Sequence, residues 1–297
     1  MAHGVYKRMP LRSRKSGELL ELLKSCPILM MAIRFGFYLN KGHFMKQIFF
    51  LMAALLSMTV QAQEYEARSE FFFCSLNEGK TMEDVVAQSE AYGKFSTDMG
   101  TKYAQAILTP MHAGVTTDYD YILWGTWPDG AAMYEEWGSF VNGYGGWAVG
   151  NSGTAPSEEA GSCHRSIAMF NTAVIHNRIP MKERDERQPV QFTQCSLKDG
   201  ASMSQLHAQA EKNKEKMDKA GFKGWGIHYF FPYLGFEDVE YDFVQMNHWY
   251  SYEARGYMAN NWGGFLEENP DVASGMQLLV DCSNTNSYVS QLIFNNM

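Results

Sequence analysis

Apolar and polar positions along this chain change period in a fixed order, and the order occurs twice. "EFFFCSL", residues 70–76, is an aromatic-rich run ending at a Gly-containing turn, which predicts a strand. Behind it Thr81-x-x-Asp84 has the form of a capping box, and Met82, Val85, Val86, Ser89 and Tyr92 share one helical face. "YAQAILTP", 103–110, and "YDYILWGTW", 119–127, predict two more strands. A second helix is expected from about Asp129, carrying Met133, Trp137 and Phe140. A fourth strand is expected from Cys163.

The same order resumes downstream. "CSLNEGKTMEDVVAQSE", 74–90, is echoed by "CSLKDGASMSQLHAQAE", 195–211, with Ser202-x-x-Gln205 as its capping box. "WGIHYFFP", 225–232, "YDFVQMNHW", 241–249, and a last strand from Cys282 complete the second pass, with a helix from about Ser251 carrying Tyr257 and Phe265. "WGSF", 137–140, answers to "WGGF", 262–265. Conserved order at a nearly constant offset points to an internal duplication, each half a folded unit. The expected division is 63–176 and 190–297, joined by the charged, Pro-containing linker 177–189.

Each half reads β-α-β-β-α-β, the ferredoxin-like split βαβ pattern, and the fold class is α+β. Two such units in one chain resemble the dimeric α+β-barrel superfamily, including its antibiotic-biosynthesis-monooxygenase-like and NIPSNAP-like families. The resemblance spans about residues 68–294 and rests on element order and duplication. It implies two units packed sheet to sheet as an intrachain pseudo-dimer, with the chain a monomer. It also implies a strand order of 4-1-3-2, which places strand 4 antiparallel beside strand 1. On that order the end of strand 1 meets the start of strand 4, and the expected disulfides are Cys74–Cys163 and Cys195–Cys282. The rival use of these four cysteines is a metal or redox site, but no CxxC occurs, and no metal is expected.

The N-terminal part changes the charge reading. Residues 45–63, "MKQIFFLMAALLSMTVQAQ", have a basic start, an apolar run and a small-x-small-like end, which reads as a signal peptide 45–62 cut after Ala62; an uncleaved anchor is the other reading. Residues 1–44 are then a non-native or unstructured leader. With the leader's net +6 and Lys46 removed from the chain's −8, the remainder is −15. An acidic exported chain argues against nucleic acid and anionic membrane as partners and against stable membrane insertion. The compartment is periplasmic or secreted.

Candidate chemistry sits where the halves differ. His228 and His248 fall on neighbouring strands of the second half, with Asp242 or Tyr241 near, and form a possible acid–base group; the first half has Ala106 and Thr126 at those places. His176 is expected to be exposed before the linker. Tyr119, Tyr121, Leu123, Gly125 and Trp127 share one face of a third strand, as do Tyr241, Phe243, Gln245, Asn247 and Trp249. If that face looks into the inter-sheet space, Tyr119, Trp127, Tyr241, Asn247 and Trp249 line a pocket for a small apolar or aromatic molecule; otherwise these aromatics are core. The Gly-rich run 142–162 reads as a long surface loop, with Trp147 as a lid residue. "LEENPDVASGMQLLVD" replaces it by a shorter acidic loop.

Three functional readings follow. The first is an exported small-molecule-binding protein of the cell envelope without a cofactor. The second, implied by the resemblance, is a cofactor-independent monooxygenase-like enzyme using His228, His248, Asn247 and Trp249. The third is haem binding with His228 as axial ligand. HExxH, GxSxG and phosphate-binding loops are absent from the sequence.

Overall fold

The computed structural model describes residues 67–297 except 115–116 and 153–158, with side chains also undescribed for 144–152 and 173–174. The leader 1–44, the signal segment 45–62 and the cut after Ala62 lie outside the described residues. Everything below concerns the unit Glu64–Met297.

Eight strands close a barrel. The first half supplies β1 (Arg68–Leu76), α1 (Met82–Met99), β2 (Ala104–His112), β3 (Tyr121–Trp127), α2 (Gly130–Ser152) and β4 (Gly161–Asn177). The second supplies β5 (Arg187–Leu197), α3 (Met203–Lys219), β6 (Trp225–Leu234), β7 (Phe243–Trp249), α4 (Tyr252–Glu268), α5 (Pro270–Gln277) and β8 (Val280–Asn295). Around the barrel the strands run β1-β3-β2-β8-β5-β7-β6-β4 and return to β1. All eight pairings are antiparallel. Each half thus has its fourth strand beside its first. The halves meet edge to edge, through β2 against β8 and β4 against β6, and not as two separate sheets stacked face to face. The physical reason is length. β4 and β8 run 17 and 16 residues, twice the length of β3 and β7, so each leaves its own sheet and pairs with an edge that would otherwise be open.

Local chemistry explains the element starts. Thr81 Oγ1 accepts from the Asp84 amide at 3.4 Å while Asp84 Oδ2 accepts from the Thr81 amide at 2.8 Å. Ser202 and Gln205 repeat the exchange at 3.3 and 2.9 Å. Asp129 caps α2 through the Ala132 amide, and Ser251 caps α4 through Ala254. Gly100 takes a left-handed conformation at φ 68° and ends α1. Asp120 and Asp242 each accept an amide hydrogen bond from the end of the neighbouring first strand, at Leu76 and Leu197. The repeated Tyr-Asp pairs therefore pin strand ends.

The barrel interior is filled. Phe71, Phe73, Leu108, Ile122, Met169, Val190, Phe230, Met246 and Tyr288 are buried together. Phe71 stacks on Trp124 and meets Phe192 and Phe230 edge-on. Burying each such side chain contributes roughly 1.5–3 kcal/mol. Helices cover the outer face of much of the sheet, whereas the first residues of β4 and β8, 162–166 and 281–285, are exposed. Both disulfides form, Cys74–Cys163 across β1 and β4 and Cys195–Cys282 across β5 and β8.

Three local expectations are corrected. The Gly-rich run begins as helix: α2 continues to Ser152 before residues 153–158, and no surface loop starts at 142. The acidic segment after α4 contains α5, started by Pro270 at its first turn, where a missing amide hydrogen costs nothing. The third-strand faces are reversed: Ile122, Trp124, Val244 and Met246 point into the barrel, whereas Tyr121, Leu123, Trp127, Phe243 and Trp249 point to the helices.

Candidate functional site

That reversal moves the cavities to the outside of the sheet. In the first half a cavity of about 550 Å³ lies between β1, β2 and β3 on one side and α1 and α2 on the other. Its apolar walls include Phe72, Tyr92, Tyr103, Trp127 and Trp137. Two buried carboxylates enter it, and exposed Glu159 stands at its edge. Glu70 alternates with Phe71 along β1 and so shares the outer face with Phe72; Glu136 comes from α2, beside Trp137.

The polar groups here are only partly satisfied. Trp137 donates its indole N–H to Glu70 Oε2 at 3.1 Å. Tyr92 donates its hydroxyl to Glu136 Oε1 at 2.5 Å. Gln105 donates to the Tyr103 hydroxyl at 3.2 Å. Glu136 Oε2, Gln105 Oε1 and Trp127 Nε1 are buried with no partner among the described residues. Burial pushes the Glu70 carboxyl up to about 7, with the Trp137 hydrogen bond working the other way. Burial also holds the Tyr103 phenol well above its usual range, as do the two nearby carboxylates. Gly125 makes the geometry possible, because a Cβ there would strike the Tyr103 ring and hydroxyl. A carboxyl poised near neutrality in an apolar cavity suits proton transfer.

The second half has a corresponding cavity of about 650 Å³ between its sheet and α3, α4 and α5. Trp225, Trp249, Met258 and Trp262 form much of the wall, and Asn247 accepts from Gln245 at 3.2 Å. Arg255 lies over the Trp249 ring at 4.4 Å. No carboxylate lines this cavity.

The sequence-nominated residues therefore separate. Trp127 lines the first cavity, and Asn247, Trp249 and His248 the second. Tyr119 and Tyr241 pack against the barrel core, with Tyr119 in hydrogen-bond contact with Tyr288 at 2.7 Å. The Trp147 side chain lies outside the described residues. Asp242 does not join His228 and His248: it precedes β7, about 20 Å along the strand from His248. Their companion is His176, which is half-buried and not exposed as its place before the linker suggested. A β-bulge between Ala173 and Ile175 shifts the alternation of β4, sending Ile175 to the helix side and His176 inward.

The three imidazole rings lie 5.0–5.5 Å apart between centroids. Burial depresses all three below the usual histidine range, His228 to about 3, so they are neutral near pH 7. Haem does not fit at His228. Its ring is wedged among His176, His248 and Phe230, and it lines none of the described cavities.

Glu70, Glu136 and His176 are the residues sequence reasoning missed. A charge inside the aromatic run "SEFFFCS" was a usable signal for Glu70, since a strand covered on both faces leaves no solvent for it. Nothing in the sequence announced the bulge.

No protein-family model and no curated protein matches the chain. Among solved structures, it is similar to chlorite dismutase from Candidatus Nitrospira defluvii, at 10% identity over 78% of this chain and 93% of that one, with a TM-score of 0.42. It is also similar to an anthrone oxidase-like protein, at 12% identity over 80% and 96%, TM-score 0.40. A third is a putative monooxygenase from Lactobacillus acidophilus, at 9% identity over 77% and 95%, TM-score 0.45. These are distant likenesses, and the barrel described above stands on its own strand pairing.

Proposed function

We propose that this chain binds a small, flat, largely apolar molecule in the first-half cavity and that Glu70 exchanges a proton with it. The observation that carries this reading is a buried carboxyl, poised near pH 7, that opens into an aromatic cavity of about 550 Å³. The unpartnered Glu136 Oε2 and Gln105 Oε1 add two acceptors, so the favoured ligand brings hydroxyl or amine donors. The two halves are read as copies of one βαββαβ unit, the first keeping the acidic site. Two disulfides support an exported protein, and the chain is read as a monomer whose two halves close one barrel.

The oxygenase-type reading draws on the same carboxylate. Ionised Glu70 takes a proton from an acidic O–H or C–H of an aromatic substrate, leaving an electron-rich anion in the cavity. The test uses Nile red and a series of phenols with the purified chain, read by quenching of tryptophan fluorescence and by oxygen uptake. Saturable binding is expected, blocked by Ser89→Trp in the cavity wall. Glu70→Gln should retain Nile red but weaken the phenols. Binding that survives Ser89→Trp in a folded variant overturns the assignment to this cavity. Oxygen uptake independent of Glu70 overturns the enzymatic form.

A further inference from the structure

We propose that His176, His228 and His248 hold one first-row transition-metal ion, of the zinc or copper class, at one end of the barrel interior. One ring nitrogen from each lies within 4.8 Å of the other two. A tetrahedral ion with bonds of about 2.0–2.1 Å needs these nitrogens about 3.4 Å apart, so binding requires the rings to close by up to about 1.4 Å. The donor set is all imidazole, which suits zinc, copper or nickel and not magnesium or calcium.

The ladder is built around these rings. Gly226 of β6 pairs with His176 on one side and His248 on the other, and His228 lies two residues along the same face. A Cβ at 226 would sit 2.5 Å from His248 Cε1 and 2.7 Å from His176 Nδ1. The matching position in the first half is Ala104, between Thr126 and Asn295, with Ala106 in place of His228. Alanine therefore satisfies the scaffold at this ladder position, and glycine stands only where three imidazoles need the space.

The surroundings orient the rings. Asn171 Oδ1 lies 3.3 Å from His228 Nδ1, and the Tyr250 hydroxyl lies 3.3 Å from His176 Nδ1. Contacts of this kind fix the tautomer of metal-binding histidines. Meanwhile His176 Nε2 and His248 Nε2 are buried without a partner among the described residues, and His248 is 7% exposed. A histidine packed only as core would be expected to satisfy these nitrogens. Three protein ligands leave a fourth position for water or a small anion.

The test takes the full chain with its disulfides intact, stripped with a chelator and titrated with Zn²⁺ or Co²⁺. One ion per chain is expected, with the visible absorption of tetrahedral Co²⁺ and a metal-dependent rise in Tm. His176→Gln, His228→Gln and His248→Gln should each abolish stoichiometric binding, and Gly226→Ala should do the same by filling the shared space. Asn171→Ala should weaken it about 10-fold. His112→Gln, at an exposed position, should leave it unchanged. Wild-type protein that takes up no stoichiometric Zn²⁺, Co²⁺ or Cu²⁺ overturns the proposal. So does stoichiometric binding retained by folded His228→Gln. If the glutamine variants fail to fold, the wild-type Co²⁺ spectrum and Tm rise decide alone. Neither result bears on the Glu70 cavity, which shares no residue with this site.

Discussion

Trp137 of α2 donates its indole N–H to the carboxylate of Glu70 on β1, at 3.1 Å, so helix and sheet meet at a titratable group enclosed by rings. Glu70 is pushed up to about 7 in the folded chain against 4.5 for the free side chain. Between those values the folded state keeps a proton that the unfolded state releases. Stability is therefore highest below about pH 4.5 as far as this group is concerned, and falls as pH rises through 7. The full difference is on the order of 3 kcal/mol before screening. Glu70→Gln keeps an acceptor for Trp137 and removes the charge. Urea unfolding from about pH 5 to pH 8 should show a falling stability in the wild type and a flatter profile in the variant.

Tyr92 donates its hydroxyl to Glu136 Oε1, and the other oxygen of Glu136 has no partner among the described residues. Tyr92→Phe should destabilise the fold by about 1–3 kcal/mol, because it strands a buried acceptor. Adding Glu136→Gln should recover part of the loss. Equal destabilisation in the single and double variants, measured by urea unfolding, would show that the hydroxyl acts by another route.

The disulfides close loops of nearly equal length, with sequence separations of 89 and 87 residues. The chain-entropy account then assigns them nearly equal contributions, about 2–4 kcal/mol each in practice. Replacing Cys74 and Cys163 with Ala, or Cys195 and Cys282, should lower stability by similar amounts. A large inequality would point to strain or to residual structure in one reduced half.

Phe230 is fully buried in the barrel interior, touching Phe71, Trp124 and Phe192. Phe230→Ala should cost about 3–5 kcal/mol, since rings held on all sides cannot collapse into the space. A cost below about 1 kcal/mol in chemical denaturation would mean that the interior is far more plastic than its packing implies.

The order of elements was legible because it rests on local signals: capping boxes at Thr81 and Ser202, turns at Gly79 and Gly200, and strands of recognisable period; both cysteine pairs followed from the repeat together with the strand order that the resemblance implies. The orientation of β3 and β7 was not. A strand with helices on one side and a filled barrel on the other is apolar on both faces, so alternation does not say which face is inner. His176 was misplaced for a related reason, since one extra residue in β4 inverts everything after it. Asp242 looked like a partner for His248 because both lie on one strand, yet its carboxylate is committed to the Leu197 amide. The candidate carboxylates depend on tertiary enclosure, which only the packed helices supply.

Both covalent cross-links lie within a half, Cys74 to Cys163 and Cys195 to Cys282, and none joins the halves. What joins them, besides the stretch 178–186, is a pair of hydrogen-bonded seams. A single protease nick in that stretch should therefore leave a particle that migrates as one species without denaturant and as two chains in it, reduced or not. The peptide connection sets the local concentration at which the two pieces find each other, and the seams hold them once they have met.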